Sequence, residues 1–237
     1  MANSSWLSDV KFHNDPALPE DTAIRALFVG PSNCGKTRLM FKWVISGLLD
    51  YNRLYIFSNS INQSLYRLLI YGFNKGLTKR ELMALFGKID SISHLSPEEV
   101  VDNMVNEKLF MKIVTKKEDK VECFATSDCK KIKSPEEYDK NYKNLFIFDD
   151  CMFDLKVKNI INNFFTRGRH QNFQVIFLAQ DYFQTCKGGV RSNANVFVLF
   201  RLSDVDRRNI YTSIASSDFK TIKEFNDLCD TIWAEKY

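Results

Sequence analysis

The feature that most constrains the fold of this chain is a short apolar run that ends in a glycine-rich loop. Five of the six residues in 24–29 are apolar, and the next eight, GPSNCGKT, fit the pattern G-x-x-x-x-G-K-[ST]. Such a loop binds phosphate, because a buried strand delivers the chain to a turn where successive backbone N–H groups surround an anion. The alternative, a turn that contains two glycines and a lysine by chance, is expected in roughly one chain in a hundred. The pattern therefore predicts a nucleotide triphosphate site.

The residues of the loop predict distinct roles in that site. Lys36 is expected to reach the β- and γ-phosphates, and the Thr37 hydroxyl is expected to coordinate Mg²⁺. The apolar pattern of residues 38–45 predicts a helix whose positive N-terminal end also faces the phosphates. The predicted nucleotide-binding residues are Gly30, Pro31, Ser32, Asn33, Cys34, Gly35, Lys36, Thr37 and Arg38.

A second strong signal lies far downstream, where four large apolar residues precede two carboxylates. Residues 144–150 read NLFIFDD, which predicts a strand buried on both faces. In NTPases with this loop, the first acid at such a strand end holds Mg²⁺, and the next can orient or deprotonate the attacking water. Asp149 is therefore the predicted metal ligand and Asp150 the predicted base. The alternative is an ordinary strand that ends in turn-forming Asp residues, which the complete loop upstream disfavours.

Alternating strand and helix patterns predict an α/β fold with a doubly wound, mainly parallel sheet of at least five strands. A strand at 173–179 ends in Gln180, at the edge of the sheet where the loop and the acids also lie. We expect Gln180 to sense the γ-phosphate, although it could equally begin a loop. Residues 1–22 are predicted to be an extended arm, and 23–237 a single domain in which 60–143 is an insertion-like, variable region with helical patterns.

The composition indicates the cellular compartment of the protein more clearly than the reaction it catalyses. The net charge of +4 permits binding to a polyanion without requiring it. The 6 cysteines show no C-x-x-C spacing, which indicates a reducing compartment with thiols that serve as small apolar residues. We find no secretory signal pattern and no run near the ~18 apolar residues of a membrane span, so we expect a soluble protein inside a cell.

Five segments, in this order and spacing, resemble the poxvirus-type packaging ATPases, the A32-like branch of the FtsK–HerA superfamily. This family occurs in large DNA viruses, virophages and Polinton transposons. The resemblance covers roughly residues 22–215 and is most specific in its last three segments. The segments are GPSNCGKT, LFIFDD, TRGRH, FLAQ and RSNANVFVLFR.

The resemblance implies a P-loop NTPase of the additional-strand type that hydrolyses ATP with Mg²⁺ between the subunits of a ring, of five or six copies. Such a motor drives double-stranded DNA into a preformed capsid, at the capsid or portal vertex, in the infected host cell, and can stay with the virion. An arginine from the neighbouring subunit would stabilise the transferring phosphate. The candidates are Arg167, Arg169 and Arg191, each of which could instead be a surface or DNA-phosphate contact. Many relatives carry Glu where this chain has Asp150, which leaves the identity of the base open.

Two other functions compete with the motor. A small-molecule kinase or other phosphotransferase would use the same loop with a lid instead of a neighbouring subunit. A nucleotide-dependent scaffold would bind partners through 60–143 and hydrolyse slowly, but the intact Lys36, Thr37, Asp149 and Asp150 disfavour it.

Overall fold

The structure, a computed structural model, covers most of the chain beyond the N-terminal arm. Residues 108–110, 169, 170, 184 and 185, with Lys88, are described by their backbone alone. The arm predicted at 1–22 lies almost wholly outside the described residues. The described ranges are 16, 18–19, 22–88, 95–110, 120–151, 154–171, 173–185 and 189–234.

The described strands form one parallel sheet with the order β3-β2-β4-β5-β1-β6. Strand β5 lies between β1, which leads into the phosphate loop, and β4, which leads into the two acids. This intervening strand is what defines the additional-strand type, so the predicted fold class is confirmed. The strands are β1 (Arg25–Val29), β2 (Arg53–Ser58), β3 (Glu122–Thr126), β4 (Asn144–Asp149), β5 (Phe173–Ala179) and β6 (Val196–Leu199).

The helices predicted at 38–45 and within 60–143 are present as α1 and as α2, α3 and α4. Reciprocal bonds between Thr78 and Glu81, and between Ser96 and Glu99, form the capping boxes that begin α3 and α4. The helices are α1 (Lys36–Ile45), α2 (Ser64–Asn74), α3 (Lys79–Lys88), α4 (Pro97–Phe110), α5 (Leu155–Arg167), α6 (Tyr182–Thr185), α7 (Gly189–Asn193), α8 (Asp204–Ser213) and α9 (Ile222–Ala234).

Two hydrophobic cores lie on opposite faces of the sheet, because successive side chains of a strand point to opposite sides. Leu145 and Ile147 of β4 pack into one core with α1–α4, whereas Phe146 and Phe148 pack into the other with α5–α9. All four side chains are fully buried. Helices therefore cover both faces of the sheet, as predicted.

The region 60–143 carries α2, α3 and α4 and also supplies the edge strand β3. Strand β3 pairs in parallel with β2, and the ring of Phe124 stacks on Tyr55 at a centroid distance of 5.0 Å. The region thus extends the central sheet in addition to adding helices. Helix α2 begins six residues after β2 ends, which brings it close to the carboxyl edge of the sheet. None of the described helices is long and apolar enough to span a membrane.

Candidate nucleotide-binding site

The phosphate loop leaves β1 through a turn that requires glycine at positions 30 and 35. A Cβ on Gly30 would lie 2.6 Å from the Cβ of Phe200 and 2.8 Å from the Sγ of Cys34. Gly35 has a φ of 98° and Asn33 a φ of 62°, both in the left-handed region. The loop therefore packs tightly between the end of β1 and the start of α1.

Lys36 and the N-terminal end of α1 concentrate positive charge inside this loop. The Lys36 side chain is buried, and its Nζ donates to the carbonyl oxygens of Gly30 and, at 2.7 Å, of Pro31. Helix α1 begins after Gly35, which has no side chain to cap it, and its first turn carries no acidic residue. The helix N–H groups and the ammonium thus favour an anion at this place.

A cavity of about 340 Å³ brings the predicted residues together at the carboxyl edge of the sheet. Segments that follow β1, β2, β4 and β5 all contribute to its wall, as expected of ligand sites in parallel sheets. The predicted residues among its lining are Ser32, Asn33, Gly35, Lys36, Thr37, Arg38, Asp149, Asp150 and Gln180. Ser60 and Gln63, which precede α2, also line it and were not predicted.

Two buried hydroxyl groups hold the Asp149 carboxylate. The Oη of Tyr66 donates to Asp149 Oδ2 at 2.7 Å, and the Oγ of Ser58 donates to the same oxygen at 3.2 Å. Burial raises the pKa of Asp149, and the charge of Asp150 adds to that rise, whereas the two hydroxyl bonds and Lys36 oppose it. Since both hydroxyls bond Oδ2, Asp149 can offer Oδ1 to a cation.

Asp150 lies in an uncommon backbone conformation, directly after the strand. Its φ of 57° places a residue other than glycine in the left-handed region, a form of strain that clusters at functional sites. The side-chain amide of Asn59 donates to the Asp150 carbonyl oxygen at 2.6 Å and so fixes the turn. The turn thus presents two successive carboxyl groups to one cavity.

The donor set at this edge fits Mg²⁺ shared with a nucleotide better than a metal bound by protein alone. Asp149, Asp150 and Thr37 all line the cavity and supply hard oxygen donors. In the described ranges, no group of three or more His, Cys, Asp or Glu residues could hold a metal ion. Mg²⁺ typically uses one or two carboxylates together with phosphates and water, which this set allows.

Two thiols meet immediately behind the acidic turn. The Sγ of Cys151 is 2.7 Å from the Sγ of Cys129 and donates to the carbonyl oxygens of Phe57, at 3.0 Å, and Asp149, at 3.3 Å. The contact with Cys151 lowers the pKa of the Cys129 thiol, and the contact with Cys129, together with burial, raises that of Cys151. Nothing in their sequence spacing indicated this contact.

Two of the three candidate arginines, Arg167 and Arg191, do not line the cavity formed by this subunit. Arg167 ends α5 as an exposed side chain 3.3 Å from Glu136, and Arg191 of α7 lies over the ring of Tyr182. The side chain of Arg169 is outside the described residues. An arginine that serves a neighbouring subunit therefore stays a prediction.

The residues that sequence reasoning missed come mainly from the last residue of β2 and the segment that follows it. Ser58 could have been found, because it ends a strand at the same sheet edge and lies opposite Asp149 in the β2–β4 register. Tyr66 gave no such signal, since an aromatic residue on an apolar helix pattern is ordinarily a core residue. Its role depends on how α2 packs above the sheet.

This fold and this loop define a P-loop NTPase, with a strand inserted between the loop strand and the strand that carries the acids. The family described as Poxvirus A32 protein matches residues 64–236, well over half of the chain. The chain therefore belongs to the poxvirus A32 protein family, and the resemblance noted in its sequence is confirmed. The match begins after the phosphate loop, so the assignment of that loop depends on its own pattern and geometry.

Two further comparisons add little to this assignment. Among solved structures, the chain is similar to VirB4 of Thermoanaerobacter pseudethanolicus, with 12% sequence identity, 84% of each chain covered and a TM-score of 0.40. Among curated proteins, none matches the chain.

Proposed function

We propose that this protein is a Mg²⁺-dependent ATPase that translocates double-stranded DNA and packages a viral or virus-like genome into a preformed capsid. The observation that carries the ATPase proposal is the cavity of about 340 Å³, which Lys36, Thr37, Asp149, Asp150 and Gln180 all line. Membership of the poxvirus A32 protein family supports the packaging role.

The residues around the cavity divide the chemistry among them. Lys36 binds the β- and γ-phosphates, and Thr37 and Asp149 hold Mg²⁺. The metal, when bound, neutralises negative charge that develops on the phosphate oxygens. Asp150 orients or deprotonates the attacking water, and because Asp is shorter than Glu, its turn must bring the carboxylate close. Gln180, which is exposed at the end of β5, responds to the γ-phosphate.

The complete site includes a second copy of the chain. A ring of identical subunits lets an arginine of one subunit reach the phosphate bound by the next, an effect worth about 10³- to 10⁵-fold in rate in other NTPases. The three candidates are Arg167, Arg169 and Arg191. In a mixing test, inactive arginine-to-alanine subunits should regain partial activity when mixed with Lys36→Ala subunits, if that arginine acts across the interface. The absence of recovery would count against the arginine tested.

An ATPase assay with and without double-stranded DNA tests both halves of the proposal. We expect DNA to raise the rate of ATP hydrolysis, and Lys36→Ala and Asp149→Ala to abolish it. Lys42→Ala is the matched control, because Lys42 is an exposed lysine on the same helix α1 and does not line the cavity. A rate unaffected by DNA, at concentrations where the protein forms rings, would refute the motor. No hydrolysis at all would favour the scaffold, and phosphoryl transfer to a small molecule would favour the kinase.

A further inference from the structure

We propose that Cys129 and Cys151 form a redox-active dithiol whose oxidation to a disulfide slows ATP hydrolysis at the adjacent site. The effect on hydrolysis depends on the proposed function, whereas formation of the disulfide does not. The two thiols lie 22 residues apart in sequence, and their Sγ atoms are 2.7 Å apart in the fold. A disulfide bond is about 2.05 Å long, so a movement of less than about 1 Å closes it.

The two thiols differ in their exposure, which suits sequential oxidation. Cys129 lies on a short 3₁₀ turn (Cys129–Lys131) after β3 and is partly exposed, so a soluble oxidant reaches it first. Cys151 is only 2% exposed, so it is protected from the oxidant and acts as the resolving thiol. Transient, redox-sensing disulfides of this kind occur in reducing compartments.

A peroxide is a sufficient oxidant for a balanced reaction. The Cys129 thiolate attacks one oxygen of hydrogen peroxide, the O–O bond breaks, and a sulfenic acid and hydroxide form. The Cys151 sulfur then attacks the Cys129 sulfur, the S–O bond breaks, and the second oxygen leaves as water once the thiol proton is transferred. Overall, two thiols and one peroxide give one disulfide and two waters, and a dithiol reductant reverses the change.

The disulfide acts on the site through the turn that carries the two acids. Cys151 directly follows Asp150, and its thiol donates to the carbonyl oxygens of Phe57 and Asp149. Oxidation removes that donor and draws Cys151 towards Cys129, so the Asp149–Asp150 turn must shift. Small displacements of catalytic groups are costly, since about 1 Å can lower a rate about 100-fold.

Peptide mapping without reduction detects the bond independently of any activity. After peroxide treatment, cleavage before aspartates should yield peptide 128–138 linked to peptide 150–153, each of which contains one cysteine. The disulfide should also raise the thermal unfolding midpoint by several degrees, because it closes a loop in the unfolded chain. Cys129→Ser should show neither change, whereas Cys123→Ser, on the neighbouring strand β3, should show both.

The hydrolysis rate of the oxidised protein should fall at least about fivefold and recover with dithiothreitol. Cys129→Ser should keep its rate in peroxide. If that variant were inhibited as strongly as the unmodified protein, the effect would come from another group, such as Cys34 in the loop, and the proposal would be overturned. It would also be overturned if the linked peptide did not form, or if it formed fully without a change in rate. Since mapping and unfolding need no ATP hydrolysis, an inactive protein would refute the proposed function and leave the disulfide to be judged separately.

Discussion

Replacing Tyr66 with Phe is expected to weaken Mg²⁺ binding at the site without disturbing the core around it. Tyr66 is fully buried, and its hydroxyl donates to Asp149 Oδ2 at 2.7 Å. Phenylalanine keeps the ring and removes only that hydroxyl, so the apolar packing of α2 is retained. Asp149 then keeps the longer bond from Ser58, at 3.2 Å, as its remaining hydroxyl contact.

The magnitude follows from the loss of one hydrogen bond to a charged group, which contributes about 1.5–3 kcal/mol. Because 1.4 kcal/mol corresponds to a factor of ten, the ionised carboxylate loses about 10- to 150-fold in relative stability. This loss raises the pKa of Asp149, so protons compete more strongly with Mg²⁺ for the carboxylate. Below the raised pKa, we expect the half-saturating Mg²⁺ concentration for ATP hydrolysis to rise about tenfold. Burial raises the pKa of Asp149 and the Tyr66 bond opposes that rise, so the variant has a still higher pKa.

The assay measures the rate of ATP hydrolysis against free Mg²⁺ at a series of pH values. If Asp149 must be ionised to hold Mg²⁺, as proposed, the acidic limb of the pH profile should move to higher pH in Tyr66→Phe. Tyr71→Phe is the matched control, since Tyr71 lies on the same helix and bonds Asp102, at 3.2 Å, away from the cavity. If both variants had the same Mg²⁺ dependence and the same pH profile as the unmodified protein, the role of Tyr66 in holding Asp149 would be refuted.

Three further outcomes follow from the structure. Gly30→Ala should abolish nucleotide binding and lower the free energy of unfolding by about 1–3 kcal/mol, because the new methyl group overpacks the loop. Gly87→Ala is the control: no atom lies within 4 Å of its new Cβ, so its thermal unfolding midpoint should be unchanged or higher. Asp149→Asn should lose hydrolysis but unfold at a higher temperature than the unmodified protein at neutral pH, because the raised pKa of Asp149 means that its ionised form opposes folding. The difference between the two unfolding midpoints should shrink as the pH falls towards 3.8, the ordinary pKa of the carboxyl group. A lower midpoint for the variant at neutral pH would contradict this prediction. Arg167→Ala should slow hydrolysis about 10³-fold or more if Arg167 acts on a neighbouring subunit. Glu136→Gln removes only the exposed ion-pair partner of Arg167 and should leave the rate unchanged. If Arg167→Ala hydrolysed ATP as fast as the unmodified protein, Arg167 would be excluded as the arginine that acts across the interface.

Local patterns in the sequence were enough to predict most of the secondary structure. The run 144–150 predicted a strand buried on both faces that ends in two carboxylates, and β4 covers Asn144–Asp149, with alternate residues in opposite cores. The capping box between Thr78 and Glu81 was predictable because both partners lie within one helical turn. The phosphate loop was recognisable for the same reason, since its binding groups are consecutive in sequence.

The sequence also indicated which distant segments meet at the site. Lys36, Asp149 and Gln180 each lie at or after the carboxyl end of a predicted parallel strand, and the carboxyl ends of such strands share one edge of the sheet. The structure places all three around a single cavity. Their roles in hydrolysis remain predictions, as does the division of the chain at residues 22 and 60–143.

What only the tertiary structure decided is which side chains contact the acids from outside these motifs. Cys129 contacts Cys151 because the strands that precede them, β3 and β4, lie on either side of β2. Tyr66 contacts Asp149 because α2 packs on the sheet next to β4. Strand order arises from the packing of both helical layers against the sheet, which no single stretch of sequence encodes. The sequence alone therefore determined the nucleotide-binding motif and its class of fold. The hydrogen bonds that position the acidic turn, and the thiol pair behind it, depended on contacts between segments that are far apart in the chain.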